Sequence, residues 1–230
     1  DGLIIQWRDA HCHVIIDCLH YCSSVLDGER AYGGKIFESA KHTQRLMRSA
    51  EIMGFQIPFS FEEIEKAKAD TLEKSGLADC YLRPIAWRGS EKMGVSAQHN
   101  TIHLAIAAWA WGAYFADRMT GIRLGMAKWR RPAPDTAPFE AKAAGLYMIA
   151  TLSKHAAEAE GFADALMLDY RGLVSECTGA NVFFLRDGAI HTPVPDCFLD
   201  GITRRTVIAL AKSKGYEVIE RHIDPSELPT

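Results

Sequence analysis

The alternation of apolar and polar positions divides the chain into short segments of changing period. Residues 37–55, FESAKHTQRLMRSAEIMGF, place Leu46, Ala50 and Met53 at helical spacing, and Gly54 predicts the stop. Ser60-Phe61-Glu62-Glu63 has the form of a capping box, in which hydroxyl and carboxylate each satisfy a free amide, so a helix is predicted from here to Gly76. CYLRPIAWRG and TIHLAIAAWAWGAY follow as β-type runs. The second is almost continuously apolar, which predicts a strand central in a sheet.

From Arg118 to Pro138 the texture changes to RMTGIRLGMAKWRRPAPDTAP, with clustered prolines and basic residues, and residues 118–132 are predicted to connect two domains, 1–117 and 133–230. The second half then predicts an alanine-rich helix from about Ala143 to Glu160 and a strand in ADALMLD. In NVFFLRDGAIHT, Asp187-Gly188 between two β-type runs predicts a hairpin. A helix, a Gly215 stop and a strand complete the pattern through DGITRRTVIALAKSKGYEVIERHI. The terminal IDPSELPT carries a helix-start signal with no helix behind it, so a further C-terminal segment is expected.

Composition narrows the function classes. In 230 residues, 29 acidic against 26 basic side chains give a net charge of -3 without a Lys/Arg block, which argues against a nucleic-acid partner. The longest apolar run, Leu104 to Ala116, is too short to span a bilayer, and the first ten residues lack the apolar core of a signal peptide. Six scattered cysteines in a chain of this length imply reduced thiols and a cytoplasmic setting.

Four stretches hold candidate chemistry. HCHVIIDCLHYCSS crowds His11, Cys12, His13, Cys18, His20 and Cys22 together, but no C-x-x-C pair occurs, and HVII reads as a strand with His11 and His13 on one face. In APFEAKAAGLYMIATL, Lys142 is surrounded by Ala141, Ala143, Ala144 and Gly145, small residues that leave room for a flat carbonyl compound beside a Schiff-base lysine; a solvated helix lysine is the plain alternative. In GITRRTV, Thr203 or the preceding Asp200 can cap a helix whose free amides suit a phosphate, although most capped helices bind only their cap. In RGLVSECTGANVFF, Glu176 ends a strand-like run before a Thr-Gly turn, where a solvated acid is the ordinary outcome.

Together with HTQRL, YLRPIAWRGSEKMGV, WAWGAY, WRRPAPDTAP and FLDGITRRTVIALAKSKGYEV, these stretches resemble, in order and over the whole chain, the class IV (fold-type IV) pyridoxal-phosphate aminotransferases, most closely the branched-chain amino-acid aminotransferases. The resemblance implies a mixed α/β, two-domain, D-amino-acid aminotransferase-like architecture with pyridoxal 5′-phosphate in the interdomain cleft. It also implies ping-pong transfer of an amino group from leucine, isoleucine or valine to 2-oxoglutarate, by a homodimer or higher homo-oligomer. By match of motif, Lys142 carries the cofactor and moves the substrate Cα proton, and Glu176 faces the ring nitrogen. Tyr147 meets the ring hydroxyl, while Arg45, Ile202 and Thr203 hold the phosphate. Tyr21, Arg30, Tyr81, Arg83, Met93, Val95, Trp111 and Tyr114 match substrate-pocket positions, with Arg83 set to accept the distal carboxylate of glutamate.

His13 and His20 match family histidines, so the Cys/His cluster is expected to be structural, with no bound metal. The chain departs from the family pattern at Asp17, where histidine is common, at Cys18 and Cys22, where small residues are usual, and at Leu26-Asp27, where Phe-Glu is typical. It also ends before the family's Thr-Gly-Thr-Ala-Ala segment. Two alternatives are a D-amino-acid or amine transaminase or aminodeoxychorismate lyase of the same fold, and a non-catalytic Cys/His metal-binding or redox protein.

Overall fold

Local capping chemistry sets the longest helix of the first unit. In the computed structural model, which describes residues 2–112 and 120–228, Ser60 accepts from the Glu63 amide while the Glu63 carboxylate accepts from the Ser60 amide, and Gly76 ends the helix with φ +69°. The chain falls into two compact units, Asp1–Tyr114 with Ala141–Gly145, and Phe115–Glu140 with Leu146–Thr230. The expected connection, 118–132, begins within residues 113–119, outside the described residues.

The first unit contains α1 (Asp17–Tyr21), β1 (Val25–Leu26), β2 (Glu29–Tyr32), β3 (Lys35–Ile36), α2 (Ser39–Ile52), α3 (Phe61–Ser75), β4 (Cys80–Arg88) and β5 (Ile102–Trp109). Strand β4 is the axis of the sheet: β1 and β2 pair antiparallel with successive parts of it, β5 pairs along its length, and β3 closes a hairpin on β2. The β2–β3 turn is Gly33-Gly34, both at positive φ, which a two-residue hairpin of this kind requires. Cys80, Leu82, Pro84 and Ala86 alternate onto the buried face of β4. Against this face pack Leu46 and Ala50 of α2 and Ile64 and Leu72 of α3. Full burial of side chains such as Leu46, Ile64 and Leu82 stabilises by roughly 1.5–3 kcal/mol each.

Two expectations are corrected here. Residues 13–16 form a turn leading into α1 and no strand; buried Asp17 opens α1, donates its amide to the Gly89 carbonyl and accepts from the Ser23 hydroxyl, and Cys22 closes the helix with φ +53°. Strand β5 is not central: among the described residues it pairs with β4 alone, and of its residues only Leu104 is buried. An apolar run reports side-chain character and says nothing of how many edges of the strand are paired.

The second unit contains β6 (Leu124–Met126), α4 (Met148–Ala159), β7 (Asp164–Leu168), β8 (Val174–Cys177), β9 (Phe184–Arg186), β10 (Ala189–Thr192), α5 (Ile202–Ser213) and β11 (Val218–Glu220). Its first sheet has the order β6-β7-β8, with β6 parallel and β8 antiparallel to β7. Helix α4 packs on this sheet through Ala150, Ser153 and Ala157, small residues at helical spacing. Its second sheet has the order β11-β10-β9; Asp187 (φ +51°) and Gly188 (φ +81°) form the expected hairpin turn, and α5 carries the chain from β10 to the parallel β11. Leu166, Val174, Cys177 and Ile223 form its core.

Candidate active site

In the first unit, Lys142 is held by its main chain. Its amide donates to Ser49 Oγ of α2 at 3.0 Å, and its carbonyl accepts from the Leu26 amide at 3.0 Å. The Ala144 amide donates to the Ser24 carbonyl, and Ala143 bridges Val25 in antiparallel fashion. The segment is therefore extended, with Ala141 and Ala143 buried on one side and Lys142 alternating to the other, half-buried. This corrects the predicted helix start: a 3₁₀ turn occupies Ala144–Tyr147 and α4 begins at Met148, because the pairing with β1 takes the backbone groups a helix would need. Gly145 lies against Cys22, whose Cβ is 3.1 Å from where a side chain at 145 would begin.

Arg45, on α2, faces the turn between β1 and β2. Its Nε donates to Asp27 Oδ2 at 2.8 Å and its Nη2 to Oδ1 at 2.7 Å; His42, one helical turn earlier, puts Nδ1 2.7 Å from the same Oδ1. Burial alone would raise the Asp27 carboxyl, but the hydrogen bonds from Arg45 and His42 outweigh it and hold it well below the usual carboxylate range.

The predicted substrate residues divide. Arg30, Tyr81 and Trp109 are in register across β2, β4 and β5, and Arg83 lies two residues along β4 on the same face. Tyr81, Trp109 and Trp111 form an aromatic triangle with centroids 4.8–5.6 Å apart. The Tyr81 hydroxyl accepts from Arg83 Nη2 at 2.7 Å, and Arg30 donates to the carbonyls of Trp111 and Gly112. Gly28 makes this possible: a Cβ there would lie 2.0 Å from Tyr81 Oη. Met93 and Val95 sit exposed in the β4–β5 loop, and Tyr21 is exposed at the end of α1. Tyr114 lies outside the described residues. Trp109 is absent from the residues expected from sequence, although its alternation with Trp111 was a usable signal.

In the second unit, Glu176 on β8 is bound by Arg131, Nη2 to Oε1 at 3.0 Å, with side-chain exposures of only 8% for the arginine and 11% for the acid. Asn181 Nδ2 reaches Glu176 Oε2 at 3.2 Å and the Leu199 carbonyl at 3.1 Å. Its Oδ1 lies 2.2 Å from where a Cβ on Gly201 would sit, so glycine is required there for space. Asn181 thus links Glu176 to the start of α5. Neither Thr203 nor Asp200 caps that helix, contrary to expectation. Gly201 is the N-cap and offers no side-chain acceptor, while Asp200 pairs with Arg204 at 2.8 Å. The first amides of α5, at buried Ile202 and exposed Thr203, are left without a side-chain cap, the arrangement an anion needs. Tyr147 ends the 3₁₀ turn before α4. Arg131 and Asn181 carry no sequence signal of their roles, because what they do depends on the folded surroundings of Glu176.

Each unit by itself holds groups of the kind an aromatic aldehyde phosphate takes: the first a lysine with a fixed main chain, the second a carboxylate with a cationic neighbour and a helix start without a side-chain cap. Among the described residues, the side chains that converge as metal ligands would are Asp169, Asp196 and Cys197. Arg171 already lies among them, with Nε 2.8 Å from Asp169 and Nη1 and Nη2 2.9 and 2.8 Å from Asp196. In the Cys/His stretch, Cys12 and Cys22 are exposed and His20 Nε2 bonds the Val14 carbonyl.

Residues 24–230 match the family model described as amino-transferase class IV. A probable branched-chain-amino-acid aminotransferase of Rickettsia conorii is 40% identical over 225 residues, 97% of this chain and 76% of that protein. A crystal structure of the branched-chain aminotransferase from Thermoproteus uzoniensis with norvaline superposes with a TM-score of 0.94 at 33% identity, covering 99% of this chain and 78% of that one. A crystal structure of an aminotransferase from Brucella abortus bound to the cofactor pyridoxal phosphate gives 0.84 at 30%, covering 95% and 78%.

Proposed function

The chain belongs to the class IV aminotransferases, and on that premise we propose that it moves the amino group of L-leucine, L-isoleucine or L-valine to 2-oxoglutarate in two half-reactions. When bound, pyridoxal 5′-phosphate supplies the carbonyl that receives the amino group and a ring that withdraws electrons from Cα. Lys142 carries the cofactor, and its Nζ takes and returns the substrate Cα proton. Glu176, paired with Arg131, is assigned to hold a proton on the ring nitrogen. Tyr147 bonds the ring hydroxyl, and Arg45 with the amides of Ile202 and Thr203 grips the phosphate.

The observation that carries this reading is the setting of Lys142, whose main chain is fixed by Ser49, Leu26 and Val25 while its side chain alternates away from buried alanines. For the substrate, the Tyr81–Trp109–Trp111 triangle offers an apolar wall and Arg83 a cation beside it, which suits a pocket that must take a branched side chain and a glutamate in turn. Arg30, Tyr21, Met93, Val95 and Tyr114 complete the proposed substrate contacts.

Leu3, Ile4, Ile5, Trp7, Val14 and Leu19 are all exposed in the first unit, a concentration of apolar surface that we assign to contact with a second copy of this chain. Six free cysteines support a reducing, cytoplasmic setting, and among the described residues no helix is long and apolar enough to cross a membrane. The test is a donor comparison with 2-oxoglutarate as acceptor. L-leucine is expected to outrun D-alanine and a chiral amine; preference for either of those would overturn the branched-chain reading.

A further inference from the structure

We propose that Asp27, with His42, is a positioning residue that aims the Arg45 guanidinium at the cofactor's phosphate. The inference rests on the assignment of Arg45 to that phosphate.

The Asp27 side chain has no solvent exposure, and its carboxylate accepts from four donors: the Gly28 amide (2.8 Å), His42 Nδ1 (2.7 Å), Arg45 Nη2 (2.7 Å) and Arg45 Nε (2.8 Å). Its own main chain is fixed, since its amide donates to the Pro84 carbonyl on the central strand β4. The acid is therefore a rigid point on the sheet. His42 and Arg45 reach it from the same face of α2, three residues apart.

The pairing with Arg45 is two-pronged. A planar guanidinium held through Nε and Nη2 has its plane set by the carboxylate, and its Nη1 points away from it. An arginine without such a brace spends its affinity for an anion on ordering its own chain. His42 adds a second grip on Oδ1, so the carboxylate cannot swing with the arginine. A purely structural ion pair would use the same distances, and the two roles separate only through what happens to a phosphate-bearing ligand.

The measurement is the ratio of dissociation constants for pyridoxal and pyridoxal 5′-phosphate, followed by visible absorbance on the purified apoprotein. Both ligands offer the same aldehyde to the protein, and only one carries the phosphate. Arg45→Met is expected to collapse the preference for the phosphorylated form. Asp27→Asn, which keeps the shape but removes the charge, is expected to reduce that preference about tenfold while leaving pyridoxal binding unchanged. Asp27→Glu, the acid more usual in the family, is expected to restore most of it.

If Arg45→Met collapses the ratio and Asp27→Asn leaves it at the parent value, the positioning role is wrong and the phosphate assignment stands. If Arg45→Met itself leaves the ratio unchanged, the phosphate assignment is wrong and the inference falls with it. Should Asp27→Asn fail to fold, Asp27→Glu and His42→Gln are read by the same ratio. A reduced preference in His42→Gln with Asp27→Glu close to the parent supports positioning, and a parent ratio in His42→Gln overturns it.

Discussion

Gly28→Ala tests whether the aromatic and cationic groups on the open face of β4 form a working substrate surface. Gly28 has no need of a special backbone angle; it is needed for the space next to Tyr81. A Cβ there would meet Oη at 2.0 Å and Cζ at 2.9 Å. Ordinary contact begins near 3.4 Å, so the hydroxyl must retreat by about 1.4 Å (3.4 less 2.0) and take with it the bond from Arg83 Nη2. A misplacement of this size at a binding group costs on the order of 10²-fold in rate, or about 2.7 kcal/mol of transition-state stabilisation. The loss should fall mainly on the glutamate half-reaction, in which Arg83 is proposed to receive the distal carboxylate, and less on leucine. Single-turnover kcat/KM for each donor is the assay, with Tm recorded to separate folding from binding, since overpacking costs about 1–3 kcal/mol. Adding Tyr81→Phe removes the worst contact and should recover Tm without recovering glutamate turnover. Parent-like kcat/KM for glutamate in Gly28→Ala would refute the reasoning.

Two further expectations concern buried charge. Arg131→Met removes a guanidinium paired with the largely buried Glu176, a change that costs about 3–5 kcal/mol, so Tm should drop by roughly 10 °C and recover partly in Arg131→Met/Glu176→Gln; a Tm within a degree or two of the parent would contradict this. Glu29, buried at the start of β2, has its carboxyl pushed up to about 7 by burial, partly offset by Lys68, whose Nζ lies 3.0 Å away. A folded pKa above the unfolded value means that the folded state holds the extra proton. Glu29 therefore contributes stability below about pH 4.5 that is lost as pH rises through about 7. Urea titrations of parent and Glu29→Gln should give a stability difference, parent minus variant, that declines across this window, and a flat or rising difference would refute the assignment.

What the sequence disclosed and what it concealed follow the range of the interactions involved. The Ser60 capping box, the stops at Gly54 and Gly76 and the Asp187-Gly188 hairpin are decided by residues within a few positions of each other, and each was legible. The extended setting of Lys142 depends on β1, more than a hundred residues earlier in the chain, and helix propensity in an alanine-rich stretch pointed the wrong way. The capping of α5 by Thr203 or Asp200 was misread for a related reason: Asp200 finds Arg204, and the helix start is left to its glycine. The motifs name candidate cofactor residues and are silent on the side chains that touch them. Asp27 beside Arg45, Arg131 and Asn181 beside Glu176, and Trp109 beside Tyr81 become visible only when strands and turns are brought together.

The chemistry proposed for this chain turns on which amine carries the cofactor. Purified protein loaded with pyridoxal 5′-phosphate, reduced with borohydride and digested should yield a phosphopyridoxyl mass on the peptide that contains Lys142, and Lys142→Ala should yield none. A label on another lysine, such as Lys128 or Lys154, or no label in the parent protein, would contradict it.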